Sequence, residues 1–152
     1  MHPFRHYRTK ILSQPAIVAE RARLKAAGKT VVFTNGCFDI MHAGHIDYIW
    51  HARSLGDVLI VGVNSDASVK LNKGPLRPII PDHFRADMLA ALEAVDYVVL
   101  FDEKEAEPLI AKVLPDILVK GGDWAHWVSG REVVEANGGK VVLANIVQGQ
   151  ST

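Results

Sequence analysis

Val31-Val32-Phe33-Thr34-Asn35-Gly36-Cys37-Phe38-Asp39-Ile40-Met41-His42-Ala43-Gly44-His45 runs an apolar strand into a tight turn, then into two histidines three apart that open a helix. A helix start has amides without intrahelical partners and the positive end of the macrodipole, so an anion placed there is held by backbone before any side chain contributes. Gly36 and Gly44 present no Cβ and let the chain come close to such a ligand. His42 and His45 share one helical face and both can donate to phosphate oxygens. The pattern therefore predicts a phosphate site at the carboxyl end of a strand, the crevice where open α/β sheets bind ligands. A zinc site on His42, His45 and His51 is the rival reading. It would want a further Cys, His or carboxylate at metal spacing, and the single Cys37 offers no cluster, so no metal ligand is assigned.

Working outward, helix and strand patterns alternate. Ser13 caps a helix through Ala27 that carries Pro15 in its first turn and stops at Gly28. Strands are predicted over 30–34, 57–63, 97–101, 116–120 and 140–144. Helices are predicted over 43–55, from the Ser65 cap onward, and over 82–93, 105–114 and 130–137. The segment Asn72–Pro81 holds three prolines and a glycine and reads as a cation-rich loop. The almost wholly apolar 57–63 run suits a strand covered on both faces. Five strands with intervening helices predict a single doubly wound, parallel five-stranded α/β sheet joined by right-handed crossovers.

Composition sets limits. At 152 residues and 49% hydrophobic content the chain is long enough for one core and too short for two ordinary ones. One domain is expected over 1–152, with a helical segment at 1–28 packed on it. Seventeen basic and seventeen acidic residues cancel, so no global field favours nucleic acid, and any charge work falls to local clusters. One cysteine, no apolar leader and no run near the roughly 18 residues of a membrane span make a cytoplasmic protein the expectation.

The His42-Ala43-Gly44-His45 stretch resembles the His-x-Gly-His nucleotidyltransferase superfamily, in particular its cytidylyltransferase-like branch. The match extends along nearly the whole chain. Lys10-Ile11-Leu12-Ser13, Gly28-Lys29-Thr30, Asn64 to Lys70, Lys73-Gly74-Pro75 with Arg77-Pro78, Lys120-Gly121-Gly122-Asp123-Trp124 and Gly149-Gln150-Ser151-Thr152 fall in the order seen in bacterial heptose 1-phosphate adenylyltransferases. The resemblance implies a strand order 3-2-1-4-5, a central first strand, and an active site above the carboxyl ends.

It also implies chemistry. A sugar phosphate is already an anionic nucleophile at neutral pH, so the protein must position two polyanions in line and stabilise charge rather than remove a proton. His42 and His45 would hold the α- and β-phosphates, while Thr34, Asn35, Gly36, Cys37 and Phe38 wrap the nucleotide with backbone groups and Gly44 permits close approach. Asp39 has two open roles, capping the turn before the helix or binding ligand or metal directly. Cys37 reads as a packing residue rather than a nucleophile, since this chemistry has no use for a thiolate.

A lysine of the proline-rich region reaches the phosphates in relatives, and Lys73 is favoured over Lys70 for that role because it sits in the loop itself. Arg77 and Arg85 are assigned to the substrate, Arg85 on the following helix. Lys120, Gly122 and Asp123 are assigned to the nucleotide, with Asp123 accepting from ribose hydroxyls; a plain glycine turn is the alternative. Trp124 and Trp127 either line the sugar pocket or bury a loop. Gly149, Ser151 and Thr152 resemble the element that binds outer phosphates.

Glycerol phosphate cytidylyltransferases carry an arginine before the terminal Gly-x-Ser-Thr, where this chain reads Asn145-Ile146-Val147-Gln148, and the heptose branch does not require it. The expectation is transfer of AMP from ATP to D-glycero-D-manno-heptose 1-phosphate, with Mg2+ carried on the nucleotide phosphates and a separate kinase upstream. Relatives are typically homodimers. The alternatives are a cytidylyl- or guanylyltransferase for another small phosphorylated polyol or sugar, and a nucleotide-sensing module without turnover.

Overall fold

The computed structural model describes residues 4–121 and 128–144. Its elements run α1 (Gln14–Ala26), β1 (Val31–Gly36), α2 (Ala43–Ser54), β2 (Val58–Asn64), α3 (Asp66–Lys73), α4 (Asp82–Ala90), β3 (Tyr97–Phe101), α5 (Glu107–Val113), β4 (Ile117–Gly121), α6 (Arg131–Ala136) and β5 (Lys140–Ala144). The strands form one sheet in the order β3-β2-β1-β4-β5, all neighbours parallel. This is the expected order, with β1 central.

Alternate residues of β1 feed two cores, because successive side chains of a strand point to opposite faces. Val32 packs with Ile49, Ala52, Ala86 and Leu89 from α2 and α4 on one face. Val31 and Phe33 pack with Ile17, Leu24, Leu109 and Ile110 from α1 and α5 on the other. β2 is buried at all seven positions, as its unbroken apolar run requires. The helix caps follow the sequence: Ser13 Oγ accepts from Ala16 N and Ser65 Oγ from Ser68 N.

Several boundaries differ from the expectation, and β1 runs two residues past Thr34 to Gly36. α3 continues to Lys73, two residues into the segment read as a loop; α4 ends at Ala90; and α5 begins at Glu107, which leaves Glu105 in the turn before it. A 3-10 turn at Tyr7–Lys10 was not foreseen. Its Lys10 ammonium donates to the carbonyls of Leu92 (3.2 Å) and Val95 (2.9 Å), and burial pushes its pKa down. Beyond it, Ile11 bridges to Val98 and Leu12 N donates to Val98 O, laying a strap along the open margin of β3. No helix among the described residues is long and apolar enough to cross a membrane.

Candidate active site

β1 ends on Asn35-Gly36, and the chain turns through Phe38 into α2. Phe38 holds a left-handed φ of 48°, and a Cβ on Gly36 would come within 2.9 Å of the Phe38 ring. A non-glycine residue in this region is strained, and such strain clusters at functional corners. The Phe38 ring in turn stands edge-on to His45, with centroids 5.7 Å apart.

The two histidines close the helix start on themselves. His42 is the N-cap, its Nδ1 accepting from Gly44 N at 3.1 Å, while His45 Nδ1 accepts from His42 N at 3.3 Å, and the rings stack at 4.0 Å. A ring nitrogen that accepts a backbone N–H carries no proton, so the hydrogen-bond network assigns both imidazoles the tautomer with the proton on Nε2. Both Nε2–H groups are left to donate elsewhere, and that of His42 is buried without a partner among the described residues. Burial, then repulsion from His42 and Lys73, pushes the His45 pKa below its ordinary value. The cap that sequence reading offered to Asp39 thus belongs to His42.

Below this corner the sheet forks. β1 pairs with β2 as far as Gly36–Val63 and β4 with β5 as far as Gly121–Ala144, yet β1 and β4 pair only at Val32–Ile117 and Phe33–Leu118. Side chains bridge the fork instead. Thr34 and Tyr48 hydroxyls lie 2.7 Å apart and both reach Val119 O, at 2.9 and 3.1 Å. Further out Lys120 Nζ donates to Asn35 Oδ1. This fork is the topological switch point between β1 and β4, and a cavity of about 480 Å³ opens in it. Asn35, Gly36, Cys37, Phe38, Asp39, His45, Lys73 and Lys120 are all on its wall. Burial pulls the Lys120 ammonium down to about 8, with Glu105 partly restoring it.

The cationic segment is anchored rather than loose. Asp39, 3% exposed, accepts from the amides of Ile79 (2.9 Å) and Ile80 (2.8 Å) and from Arg77 (3.0 Å). Burial alone would raise its pKa, but these donors outweigh it and hold the carboxyl below the ordinary range. Lys70 Nζ donates to Arg77 O at 3.0 Å. Arg85 is 0% exposed, with its guanidinium donating to the carbonyls of Ile80, Cys37 and Asn64 and to Asp66.

Several sequence assignments change accordingly. Arg85, expected at the substrate, is fully buried and ties the β1–α2 corner to the 74–81 loop and to α3 through three carbonyls and the Asp66 carboxylate. Asp39 pins the same loop instead of capping a helix or lying free for a ligand. Arg77 and Lys70 are engaged with Asp39 and the loop backbone, whereas Lys73 faces the cavity. Thr34 turns its hydroxyl into the fork, and the Gly44 amide is taken by the His42 cap. His42 stands behind His45 rather than on the cavity wall. Cys37 is half-buried, and burial pushes its thiol up, as suits a packing residue.

Sequence reading missed Asn72, Lys104, Glu105 and Ser129, all on the cavity wall. Asn72 Nδ2 donates to Ser68 O and Lys104 O, and Ser68 Oγ to Glu103 O, which ties the turn after β3 to α3. Lys104 and Glu105 follow the end of β3, Asn72 lies in the last turn of α3 and Ser129 stands just ahead of α6, and none of them belongs to a motif that marks it in the sequence. Gly122, Asp123, Trp124, Trp127, Gly149, Ser151 and Thr152 lie outside the described residues.

The family described as Cytidylyltransferase-like matches residues 33–147. The chain is similar to Bifunctional protein HldE of Citrifermentans bemidjiense, 53% identical over 145 residues that make up 95% of this chain and 30% of that protein. It is similar also to Bifunctional protein HldE of Pectobacterium carotovorum, 58% identical over 126 residues, 82% of this chain and 26% of that one. It therefore spans less than a third of the length of these curated relatives. Among solved structures, a lipopolysaccharide core biosynthesis protein from Thermoplasma volcanium is 32% identical with a TM-score of 0.63, covering 78% of this chain and 97% of that one. With the family match spanning the strand, the turn and both histidines of the site, the chain belongs to the cytidylyltransferase-like family.

Proposed function

We propose that the chain transfers the adenylyl group of ATP to D-glycero-D-manno-heptose 1-phosphate, giving an ADP-heptose and pyrophosphate. A phosphate oxygen of the sugar forms the new bond to the α-phosphorus, and pyrophosphate leaves with the electrons of the bond that breaks. The observation that carries the reading is the His45 imidazole, fixed by His42 N so that Nε2–H is its donor, on the wall of one cavity with Lys73 and Lys120. Two lysine ammoniums and one neutral imidazole N–H around a fork in the sheet suit a reaction limited by repulsion between polyanions.

The acceptor is supported by the similarity to HldE proteins over most of the chain and by the Lys120-Gly121-Gly122-Asp123 and Gly149-Gln150-Ser151-Thr152 motifs. That similarity favours this acceptor over the polyol alternatives and favours turnover over sensing. The side chains fit a magnesium ion carried on the nucleotide. The Asp39 oxygens are already occupied by the 74–81 loop, and Lys73 and Lys120 line the cavity as partners for phosphate oxygens. Such an ion would supply neutralisation of phosphate charge; donation falls to His45, Lys73 and Lys120, and His42 aligns His45 through its backbone N–H and the ring stack.

The test is a pyrophosphate-release screen of ATP, CTP and GTP against heptose 1-phosphates, glycerol 3-phosphate and other sugar phosphates. ATP with D-glycero-D-manno-heptose 1-phosphate should be the productive pair, and His45→Ala should lose about 100- to 1000-fold in rate while keeping its fold. Near-normal turnover in that variant would remove the mechanism.

A further inference from the structure

Ser129 is 5% exposed, stands on the cavity wall, and its Oγ has no hydrogen-bond partner among the described residues. A buried hydroxyl left unpaired is a cost that folded proteins rarely carry without a reason. Its neighbours hold it in place. Val128 is buried in the core beneath α5, and Gly130 has a φ of 88° with its Cα so close to Ile110 that a Cβ would stand 2.8 Å from the Ile110 side chain. The backbone around Ser129 cannot move away from the cavity without breaking this packing.

We propose that the Ser129 hydroxyl is a recognition atom for the nucleoside half of the nucleotide, pairing with a neutral hydrogen-bonding group of the ribose or base. The inference rests on the nucleotide-transfer reading and goes beyond it by assigning an atom to the uncharged part of the ligand. The division of the cavity supports this choice. His45 belongs to α2, which packs on one face of the sheet, whereas Val128 belongs to the core of the opposite face, so the two walls of the crevice differ. The phosphates belong with His45, Lys73 and Lys120. A lone neutral hydroxyl adds little to a polyanion among cations, but it discriminates strongly for a neutral polar group in a site from which water is displaced.

The experiment uses the whole chain and measures affinity for ATP, for 2′-deoxy-ATP and for inorganic tripolyphosphate, together with the melting temperature of the free protein. Ser129→Ala should weaken ATP about tenfold while tripolyphosphate affinity stays within about twofold. Because the variant removes an unpaired polar atom, the free protein should melt at the same temperature or higher, and Ser129→Thr, which keeps the hydroxyl, should recover ATP affinity. A loss that vanishes for 2′-deoxy-ATP places the contact on the 2′-hydroxyl, and one that persists places it on the rest of the ribose or on the base. Unchanged ATP affinity in Ser129→Ala overturns the proposal, as does equal weakening of ATP and tripolyphosphate, or a lower melting temperature with affinity unchanged. Pyrophosphate release by the unmodified chain is read separately. Its absence with ATP binding intact overturns the transfer reading and leaves Ser129 judged on the affinities, whereas no ATP binding at all overturns both.

Discussion

Lys120 ends a strand, reaches across the fork to Asn35, and is held to about 8 by the removal of water around its ammonium. A polyanion arriving beside it favours the charged form and returns its pKa toward the ordinary lysine value. At pH 8 the free protein holds this site about half protonated, so nucleotide binding should take up as much as about half a proton. Calorimetry of ATP binding in buffers of different ionisation enthalpy measures that uptake, and Lys120→Met should abolish it. Equal uptake in the variant would mean that another group titrates. At this scale the sequence was a partial guide. Lys120 stands at the carboxyl end of β4, where the apolar run stops, and Lys73 was assigned through the resemblance; the structure puts both on the cavity wall. Arg85 and Asp39 could not be placed, because their partners lie up to 48 positions away and a charged residue beside a phosphate motif looks like a ligand in one dimension.

At the scale of the element, α2 starts on a side chain that is both cap and donor. His42 Nδ1 satisfies one orphan amide of the helix, and Nε2 remains for chemistry. These roles separate by substitution. His42→Asn keeps a capping acceptor and should hold stability within a few tenths of a kcal/mol, whereas His42→Ala should lose about 1 kcal/mol. Both should lose pyrophosphate release by about 100-fold. Chemical denaturation alongside the rate measurement reads both, and an active His42→Asn protein would reduce His42 to a cap. The alternation of elements was legible, since apolar runs of strand length are punctuated by Gly28, Gly56 and Gly74. The fork was not. Nothing in the Ile117–Gly121 run announces that only its first two residues pair with β1, because ladder length depends on what fills the gap, here Thr34 and Tyr48 from elsewhere in the chain.

At the scale of the whole molecule, the crevice keeps its shape because Asp39 ties the 74–81 loop to the β1–α2 corner. The Asp39 pKa lies below the ordinary carboxylate range, so the ionised form is favoured by folding. Its contribution is fully present above about pH 4 and is lost as pH falls through the lower value of the folded state. Asp39→Asn should therefore cost about 1–2 kcal/mol at neutral pH, since it removes one charged acceptor from Arg77 and the loop amides while Arg77 remains open to water. The gap between the two proteins should close as acid passes below about pH 4, by urea denaturation at each pH. A pH-independent gap would show that shape, not charge, holds the loop.

The strap at residues 7–12 bears on behaviour in a crowd. A parallel sheet that stops at an uncovered border strand offers its amides and carbonyls as a template, and other chains can add to it. Here Leu12 N takes the Val98 carbonyl and the Lys10 ammonium takes two more just upstream, so the border is already spoken for. A buried cation in the middle of that seal also resists replacement by a foreign strand, which would have to leave those carbonyls unsatisfied. The strap thus acts as a stopper against polymerisation, built from a stretch that does not line the cavity.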